Sequence, residues 1–375
     1  MYKKSDNMKV LQINSVCGIR STGRICTELA DQFIAQGHEV KIGYGRETVP
    51  ERYQSMAVRI GSDQDVYFSA LKSRLLDNEG FNNKKATRRF LQWADTYDPD
   101  LLWLHNLHGY YINLELLFQW IKQRPGMQVK WTLHDCWAFT GHCAHFTMVD
   151  CKKWKTQCKN CSQKGTYPKG MFLDHSKVNY QKKRQCFLGI SDLTIITPSH
   201  WLASLVRQSF LKDYPIEVRH HSVDTDVFKP TPGDFRKRYG LENKKIVLGV
   251  ATAWTKSKGL DDFIALSSKL DDTYKIVLVG IPPNMRSSLP GNILALERTN
   301  HTKELAEIYT AADVFVNPSR EETFGLTTLE AISCGSKTIV YQETACEEVV
   351  KLHGCGVAVE QTEHALEEAI RQMFR

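Results

Sequence analysis

The sequence predicts an α/β protein made of two doubly wound, Rossmann-like domains in succession. Short apolar strands alternate with helical segments along both halves of the chain, which is typical of parallel sheets covered by helices. A polar, proline-containing segment at residues 218–232 interrupts this alternation. The length of 375 residues is sufficient for two hydrophobic cores.

The predicted elements of the first half begin with a β–α–β unit. After a polar tail at residues 1–7, strands are predicted at 9–14 and 39–42, with a helix over about 25–36 between them. Further strands are predicted at 101–104, 129–133 and 194–197, and a further helix at 114–123. Polar residues follow these three strands. Because ligands bind beyond the carboxyl ends of strands in open parallel sheets, we expect these residues to line a crevice.

The second half repeats the alternation. Strands are predicted at 245–250, 275–280, 313–316 and 338–341, and a helix over about 303–311 precedes the third of them. We therefore expect two domains, at residues 8–220 and at residues 221–375. An insertion rich in cysteine and basic residues is expected within the first domain, over about 136–170.

The loop after strand 313–316 carries the clearest candidate site. It leads into a helix that begins close to Gly325. The first amides of a helix lack intrahelical acceptors and the helix dipole is positive there, so this position suits a diphosphate. Glu322 lies in the loop, within reach of a sugar, and Glu330 lies inside the helix, where it can accept hydrogen bonds from ribose hydroxyls. A pair of ordinary surface charges is the alternative interpretation.

This segment closely resembles the E-x7-E signature of family 4 of the retaining glycosyltransferases. Glu322 and Glu330 match the two glutamates, and Phe324, Gly325 and Leu326 match the turn between them. The resemblance implies a GT-B fold, in which two Rossmann-like domains face a cleft. It also implies that Glu322 contacts the sugar of a nucleotide-diphosphate sugar and that Glu330 contacts the ribose.

Residues 250–259 are similar to the family's strand and loop that ends in Lys-Gly, here Lys258 and Gly259. The resemblance implies that Lys258 supports the diphosphate of the donor. The family usually has an arginine five residues before this lysine, and this sequence has Ala253 there. Lys256 is the residue that could replace the missing cation.

The first domain offers a second set of candidates. Gly23 and Arg24 look like part of the family's glycine loop, which faces the donor phosphates or the acceptor, although a structural turn is the alternative. His134, after strand 129–133, resembles the family's histidine near the reacting end of the donor sugar, and a capping or packing role is the alternative. Three residues after the neighbouring strand are predicted to bind the acceptor: His105, Asn106 and His108.

The resemblance implies a retaining hexosyltransferase with His134, Lys258 and Glu322 as its catalytic residues. The expected partners are a nucleotide-diphosphate sugar and a lipid-linked or polysaccharide acceptor, because related sequences look like colanic-acid-type enzymes of capsule and exopolysaccharide synthesis. No cofactor is expected for catalysis, since no Asp-x-Asp motif is placed to hold a metal at the donor phosphates. The alternatives are another GT-B enzyme, such as a nucleotide-sugar epimerase, and a non-catalytic carbohydrate-binding or partner-binding protein.

The insertion contains four cysteines whose spacing is compatible with a structural zinc site. They are Cys143, Cys151, Cys158 and Cys161. In the cytoplasm zinc is favoured over disulfides. His142 and His145 are alternative ligands, and four free thiols are the alternative to any metal.

The charge of the chain bears on its partners. The formal net charge is +7, with basic clusters at 84–89, 152–169 and 182–184. Such clusters attract phosphates or anionic lipid headgroups, and a solvated face is the alternative. No nucleic-acid motif is present. Because the sequence contains neither a membrane-spanning apolar run nor an apolar signal segment, we predict a cytoplasmic protein, with association at the inner face of the membrane.

Overall fold

The computed structural model describes residues 7–299 and 301–375, so residues 1–6 of the predicted polar tail lie outside the described part. The chain divides into two compact units. The first comprises the residues up to 198 together with 202–219, and the second comprises 199–201 and 220–375. The last passage between the units therefore lies inside the segment predicted as a linker.

The first unit alternates strands and helices. Its strands are β1 (Lys9–Asn14), β2 (Glu39–Tyr44), β3 (Ala57–Arg59), β4 (Leu101–Leu104), β5 (Gln128–Thr132), β6 (Leu193–Thr197) and β7 (Ile216–Val218). Its helices are α1 (Arg20–Ala35), α2 (Asp63–Leu76), α3 (Lys84–Tyr97), α4 (Leu114–Lys122) and α5 (Ser176–Phe187), and α6 (His200–Val206) begins in the short segment that belongs to the second unit. Short 3-10 turns lie at Glu51–Met56, Trp137–Phe139, Thr147–Val149 and Lys153–Lys155.

These strands form a parallel sheet in the order β3-β2-β1-β4-β5-β6-β7. The order reverses between β1 and β4, which is the arrangement of a doubly wound sheet. Every side chain of β4 is buried, as expected for a strand whose two faces are covered. The predicted Rossmann-like topology of this half is confirmed.

The second unit repeats the architecture. Its strands are β8 (Lys245–Val250), β9 (Tyr274–Val279), β10 (Ile293–Leu296), β11 (Val314–Asn317), β12 (Lys337–Tyr341) and β13 (Gly356–Val359). Its helices are α7 (Phe235–Arg238), α8 (Leu260–Lys269), α9 (Pro283–Arg286), α10 (Thr302–Ala311), α11 (Leu326–Ser333), α12 (Ala345–His353) and α13 (Glu363–Gln372), with a 3-10 turn at Lys256–Lys258.

The second sheet is also parallel, in the order β10-β9-β8-β11-β12-β13. Its central strand β8 points successive side chains to opposite faces. Val247 joins one buried core with Phe263, while Ile246 and Leu248 join another with Phe315. Because both faces of the sheet are covered by helices, the place where a ligand can bind lies beyond the carboxyl ends of the strands.

Two local differences from the predicted elements have physical causes. Helix α1 begins at Arg20, five residues earlier than predicted, because the chain turns sharply at Gly18 (φ +72°), whose N–H donates to the Gly23 carbonyl. Helix α2 was not predicted, because its apolar side chains lie on its exposed face and give no core-facing periodicity. Among the described residues, no helix is both long and apolar enough to cross a membrane.

Candidate functional site

The second unit brings Lys258 and Glu322 together. Lys258 ends the 3-10 turn after β8, and Glu322 lies in the loop after β11. The Lys258 ammonium donates to the Glu322 carboxylate over 2.5 Å, and both side chains remain partly exposed, at 32% and 22%. Burial lowers the pKa of Lys258, but the Glu322 carboxylate, with smaller effects of Cys346 and Glu321, raises it, and the net pKa lies above the ordinary value. Lys258 is therefore a cation at neutral pH.

Close packing of two loops holds this pair in place. Gly259 adopts a positive φ of +76°, and a Cβ at this position would lie 2.4 Å from the Pro318 side chain. Since such a contact is too short, only glycine lets the turn that carries Lys258 approach the loop that carries Glu322. The loop is further fixed by Ser319, whose hydroxyl donates to the Asn317 side chain over 2.6 Å.

The same loop ends at Gly325, which caps α11. Its φ is +96°, and a Cβ would lie 2.6 Å from the Cys346 sulfur. The Gly325 carbonyl accepts from the amides of Thr328 and Leu329, so the amides before Thr328 precede the helical hydrogen-bond ladder. The glycine thus places a positive helix end beside the Lys258–Glu322 pair, which suits a phosphate group.

Gly325→Ala is expected to lower the free energy of unfolding by about 1–3 kcal/mol and to weaken binding of any diphosphate ligand, because the new Cβ forces the helix start to move. Gly354→Ala is the matched control. It also changes a glycine of positive φ (+62°), but a Cβ there meets nothing within 4 Å. Chemical denaturation and ligand titration of both variants test this, and equal ligand binding in both would contradict the role of Gly325.

Glu330 lies inside α11 and is nearly buried, with 7% of its surface exposed. Its Oε2 accepts a hydrogen bond of 3.0 Å from the Tyr309 hydroxyl. Burial raises the pKa of Tyr309 and the neighbouring carboxylate raises it further, so Tyr309 stays a donor. The tyrosine therefore orients a carboxylate that, by its chemistry, is suited to accept hydroxyl groups of a ligand.

A second cation near this site was not predicted from the sequence. Arg320 lies two residues before Glu322 and forms a two-pronged ion pair with the buried Asp262, at 2.5 and 2.8 Å. Asp262 also accepts from the Tyr341 hydroxyl over 2.9 Å. Lys256, the predicted substitute for the missing arginine, lies exposed in the same turn as Lys258. Arg320 thus supports the loop through Asp262, and Lys256 is the residue open to an anionic ligand.

In the first unit, His134 and His105 lie at the ends of β5 and β4 and stack with ring centroids 5.4 Å apart. His134 Nε2 lies 3.1 Å from His105 Nδ1, and His105 Nε2 lies 2.9 Å from the side-chain amide oxygen (Oε1) of Gln12. A carbonyl oxygen only accepts, so in neutral rings His105 donates from Nε2 and accepts from His134 at Nδ1.

A second network surrounds His108. Its Nε2 lies 2.8 Å from the Asp135 carboxylate and its Nδ1 lies 2.9 Å from the Tyr167 hydroxyl. Burial raises the pKa of Asp135, but His108, His145 and the hydrogen bond from the Trp137 amide together lower it to about 2. Asp135 and Tyr167 were not predicted as site residues. Tyr167 lies 59 residues after His108 in the sequence, inside the insertion, so no short spacing links the two residues. Asn106 is held by its amide, which donates to the Asn14 side chain over 3.2 Å.

These first-unit residues line one small pocket. Its wall includes two tryptophans, one from β5 and one from the turn after it, together with His105, Asn106, His108, His134 and Asp135. Gly23 and Arg24 lie elsewhere, in the first turns of α1 rather than in the loop before it. Gly23 is buried and Arg24 is exposed. The loop that follows β1 is formed by Gly18 and its neighbours, so the glycine at the predicted turn is Gly18.

The insertion brings two of the four candidate zinc-binding cysteines into direct contact. Cys143 donates to Cys161, which lowers the pKa of the Cys161 thiol. Burial raises the pKa of Cys158 to about 11. All eleven cysteines of the chain lie in the described part and are free thiols. Among described residues, the four cysteines do not form a group of three or more ligand atoms within 4.8 Å of one another. A zinc ion at these cysteines would require their side chains to rearrange, and it stays a prediction.

The chain matches two protein families, one over each half. The family described as Glycosyltransferase Family 4 matches residues 22–227, more than half of the chain, and the family described as Glycosyl transferases group 1 matches residues 233–375. A curated relative is WcaC of Escherichia coli (strain K12), which carries the name colanic acid biosynthesis glycosyl transferase. It is 24% identical over 361 residues, covering 92% of this chain and 86% of WcaC.

Two solved structures illustrate the likeness of fold. Sucrose-phosphate synthase from Thermosynechococcus elongatus has a TM-score of 0.69 at 16% identity and covers 98% of this chain and 90% of its own. HepE from Anabaena, in complex with UDP and glucose, has a TM-score of 0.64 at 14% identity with the same coverage. At this level of identity the likeness establishes the fold, and the predicted GT-B class of two Rossmann-like domains is confirmed.

Proposed function

Because the chain belongs to Glycosyltransferase Family 4, we propose that it moves a hexose-type sugar from a nucleotide-diphosphate sugar to a lipid-linked or polysaccharide acceptor, with retention of the anomeric configuration. Cell-surface polysaccharide synthesis is the proposed role, supported by the similarity to a relative named for colanic acid biosynthesis. The observation that carries the proposal is the pairing of Lys258 with Glu322 beside the glycine-capped start of α11.

In the proposed mechanism, the second unit binds the donor. The diphosphate lies at the first amides of α11, and Lys258 neutralises the charge that develops as the sugar departs, which is usually the largest contribution to such catalysis. Glu322 accepts hydroxyls of the transferred sugar and Glu330 accepts those of the ribose. Lys258 then moves from an ion pair with Glu322 to one shared with the phosphate. The chain's own residues need no metal for these steps.

In the first unit, His134 is proposed to contact the sugar that reacts. His105 holds the ring of His134, and Gln12 in turn holds His105. The acceptor is proposed to bind at Asn106 and His108. The Asp135 carboxylate and the Tyr167 hydroxyl fix the ring of His108 through both of its nitrogens.

The stereochemistry and the reaction type are tested together. The purified protein is incubated with UDP-, GDP- and ADP-sugars and with lipid-linked or polysaccharide acceptors, and the anomeric configuration of the product is read by NMR. We expect transfer with the configuration of the donor retained. An inverted product, an epimerised donor sugar formed without acceptor, or neither hydrolysis nor transfer with any donor would each contradict the proposal.

A lipid-linked acceptor requires the protein to work at a membrane surface, and helix α2 of the first unit suits that task. It buries Ser69 and Ser73 and exposes its large apolar side chains, the reverse of an ordinary surface helix. Met171 and Phe172 lie beside it, because the Met171 amide donates to the Arg74 carbonyl over 2.7 Å. The exposed apolar group, here called the α2 surface, comprises Tyr67, Phe68, Leu71, Leu75, Leu76, Met171 and Phe172.

Basic side chains accompany the α2 surface. Lys72 and Arg74 are exposed on the same helix, and Lys164 reaches the Phe172 carbonyl over 3.1 Å. Aromatic and leucine side chains mixed with Lys and Arg are typical of surfaces that lie in the interface of an anionic bilayer. We therefore propose anionic lipid as the occupant of the α2 surface.

A Phe68→Ser/Phe172→Ser variant is expected to bind anionic vesicles at least tenfold more weakly than wild type, because each phenylalanine contributes about 1.5–3 kcal/mol on leaving water. Co-sedimentation with vesicles of phosphatidylglycerol, compared with phosphatidylcholine, measures this. Leu352→Ser, which changes an exposed apolar residue of the second unit, is the matched control. Equal vesicle binding by all three proteins would contradict the membrane assignment.

A further inference from the structure

Two histidines and one glutamate of the second unit converge where the chain passes between the units. His200 is the first residue of α6, His220 is the first residue after the last passage, and Glu348 lies on α12. One ligand atom of each side chain lies within 4.8 Å of the other two. Among the described residues, no other group of three or more histidine, cysteine, aspartate or glutamate side chains meets this condition.

Hydrogen bonds from neighbouring groups of the protein hold the Glu348 carboxylate in position. Its Oε1 accepts from the His200 amide over 2.9 Å and from His220 Nε2 over 2.7 Å. Its Oε2 accepts from the Trp201 amide over 3.0 Å. The two backbone amides orient the carboxylate in the way that outer hydrogen bonds orient a metal ligand.

We propose that His200, His220 and Glu348 bind a divalent transition-metal ion of the Zn²⁺ type. Two imidazole nitrogens and one carboxylate are a ligand set that zinc uses in proteins, with water completing the coordination. This site is separate from the four cysteines of the first unit and does not depend on the transferase proposal.

The geometry allows the ligands to close around an ion. Zinc binds nitrogen and oxygen ligands at about 2.0–2.2 Å, so the ligand atoms must come to rest roughly 3–3.5 Å apart. Both histidines are exposed. Their rings can therefore rotate towards the fixed carboxylate, and the ion replaces the hydrogen bond between His220 and Glu348. Exposure also supplies the entry path and the position for a water ligand.

The site borders the loop that carries the candidate donor site. The His220 ring stacks against Phe324, with ring centroids 6.0 Å apart, and Phe324 immediately precedes Gly325. Ser199, next to His200, donates from its hydroxyl to the Thr323 carbonyl over 2.8 Å. An ion bound to His200 and His220 would therefore also hold the two groups that contact this loop, the His220 ring and Ser199.

The test is Zn²⁺ binding to the full chain, measured by calorimetry and by metal analysis after gel filtration in a reducing buffer. Wild type is compared with a His200→Ala/His220→Ala variant, which keeps every cysteine. We expect wild type to bind one equivalent more than this variant, whatever the cysteines bind. Co²⁺ bound at this additional site should lack the intense charge-transfer absorption of thiolate ligands.

Two further variants keep the test decisive. Glu348→Gln retains an oxygen acceptor for the amide of His200, so it should fold and yet bind Zn²⁺ at the site at least tenfold more weakly. His301→Ala/His364→Ala removes two exposed histidines elsewhere in the second unit and should leave the stoichiometry unchanged. The proposal would be overturned if wild type and the His200→Ala/His220→Ala variant, both folded by circular dichroism, bound Zn²⁺ with equal stoichiometry and affinity. The three side chains would then form only a hydrogen-bonded pair of His220 with Glu348 beside His200.

Discussion

Lys258→Ala is expected to lower kcat/KM for sugar transfer by about 10²–10³-fold, the cost of removing one group that stabilises charge developing in a transition state. The lysine is the cation that the structure places beside both Glu322 and the start of α11. Burial lowers its pKa, but Glu322, Cys346 and Glu321 together raise it above the ordinary value, so Lys258 is a cation at neutral pH. Steady-state kinetics with saturating acceptor measures the loss.

The control for this variant separates lost catalysis from lost structure. Lys303→Ala removes an exposed lysine of the same unit, on α10, and should leave transfer unchanged. Thermal unfolding of both variants shows whether the fold is kept. A Lys258→Ala protein that is folded and retains nearly normal kcat/KM would remove Lys258 from the site.

Glu322→Gln is expected to reduce kcat/KM by roughly tenfold to hundredfold, because losing a hydrogen bond to a charged group costs about 1.5–3 kcal/mol and each 1.4 kcal/mol is tenfold in rate. The glutamine keeps the shape of the side chain but neither the charge nor the strong acceptor. Glu360→Gln, at an exposed position after β13, is the matched control.

The same variant should change the pH dependence. In wild type, Glu322 raises the pKa of Lys258 against the lowering effect of burial. Removing the carboxylate leaves burial to act, so the pKa of Lys258 falls and the lysine loses its proton at lower pH. The residual activity of Glu322→Gln should therefore decline at a lower alkaline pH than that of wild type. Parallel pH–rate profiles in the two proteins would contradict the coupling.

The fold could be predicted from the sequence largely because its central strands are continuous apolar runs. The strand predicted at 245–250 coincides with β8, and the strand at 101–104 coincides with β4. Elements at the sheet edges were missed. Strand β3, at the edge of the first sheet, has three residues, none of them buried. Helix α2 was missed for a related reason, because its apolar residues lie on the exposed face and do not give the pattern of a core-facing element.

The candidate site was predictable where its residues are close in sequence or match a family signature. Glu322, Gly325 and Glu330 fall on one loop and helix, so their spacing reveals them. The network of His108, Asp135 and Tyr167 joins β4, β5 and the insertion, and only the tertiary structure shows that these side chains meet. For the same reason the convergence of His200, His220 and Glu348 could not be foreseen.

The central claim is that the second unit binds a nucleotide-diphosphate sugar at Lys258, Glu322 and the start of α11. The most direct test is thermal unfolding of wild type and Lys258→Ala across a panel of UDP-, GDP- and ADP-sugars. A ligand that binds only the folded protein stabilises it by about 2.7 kcal/mol at a hundred times its Kd. We predict that at least one donor raises the Tm of wild type and that Lys258→Ala loses most of this shift. No shift with any donor, or equal shifts in both proteins, would contradict the claim.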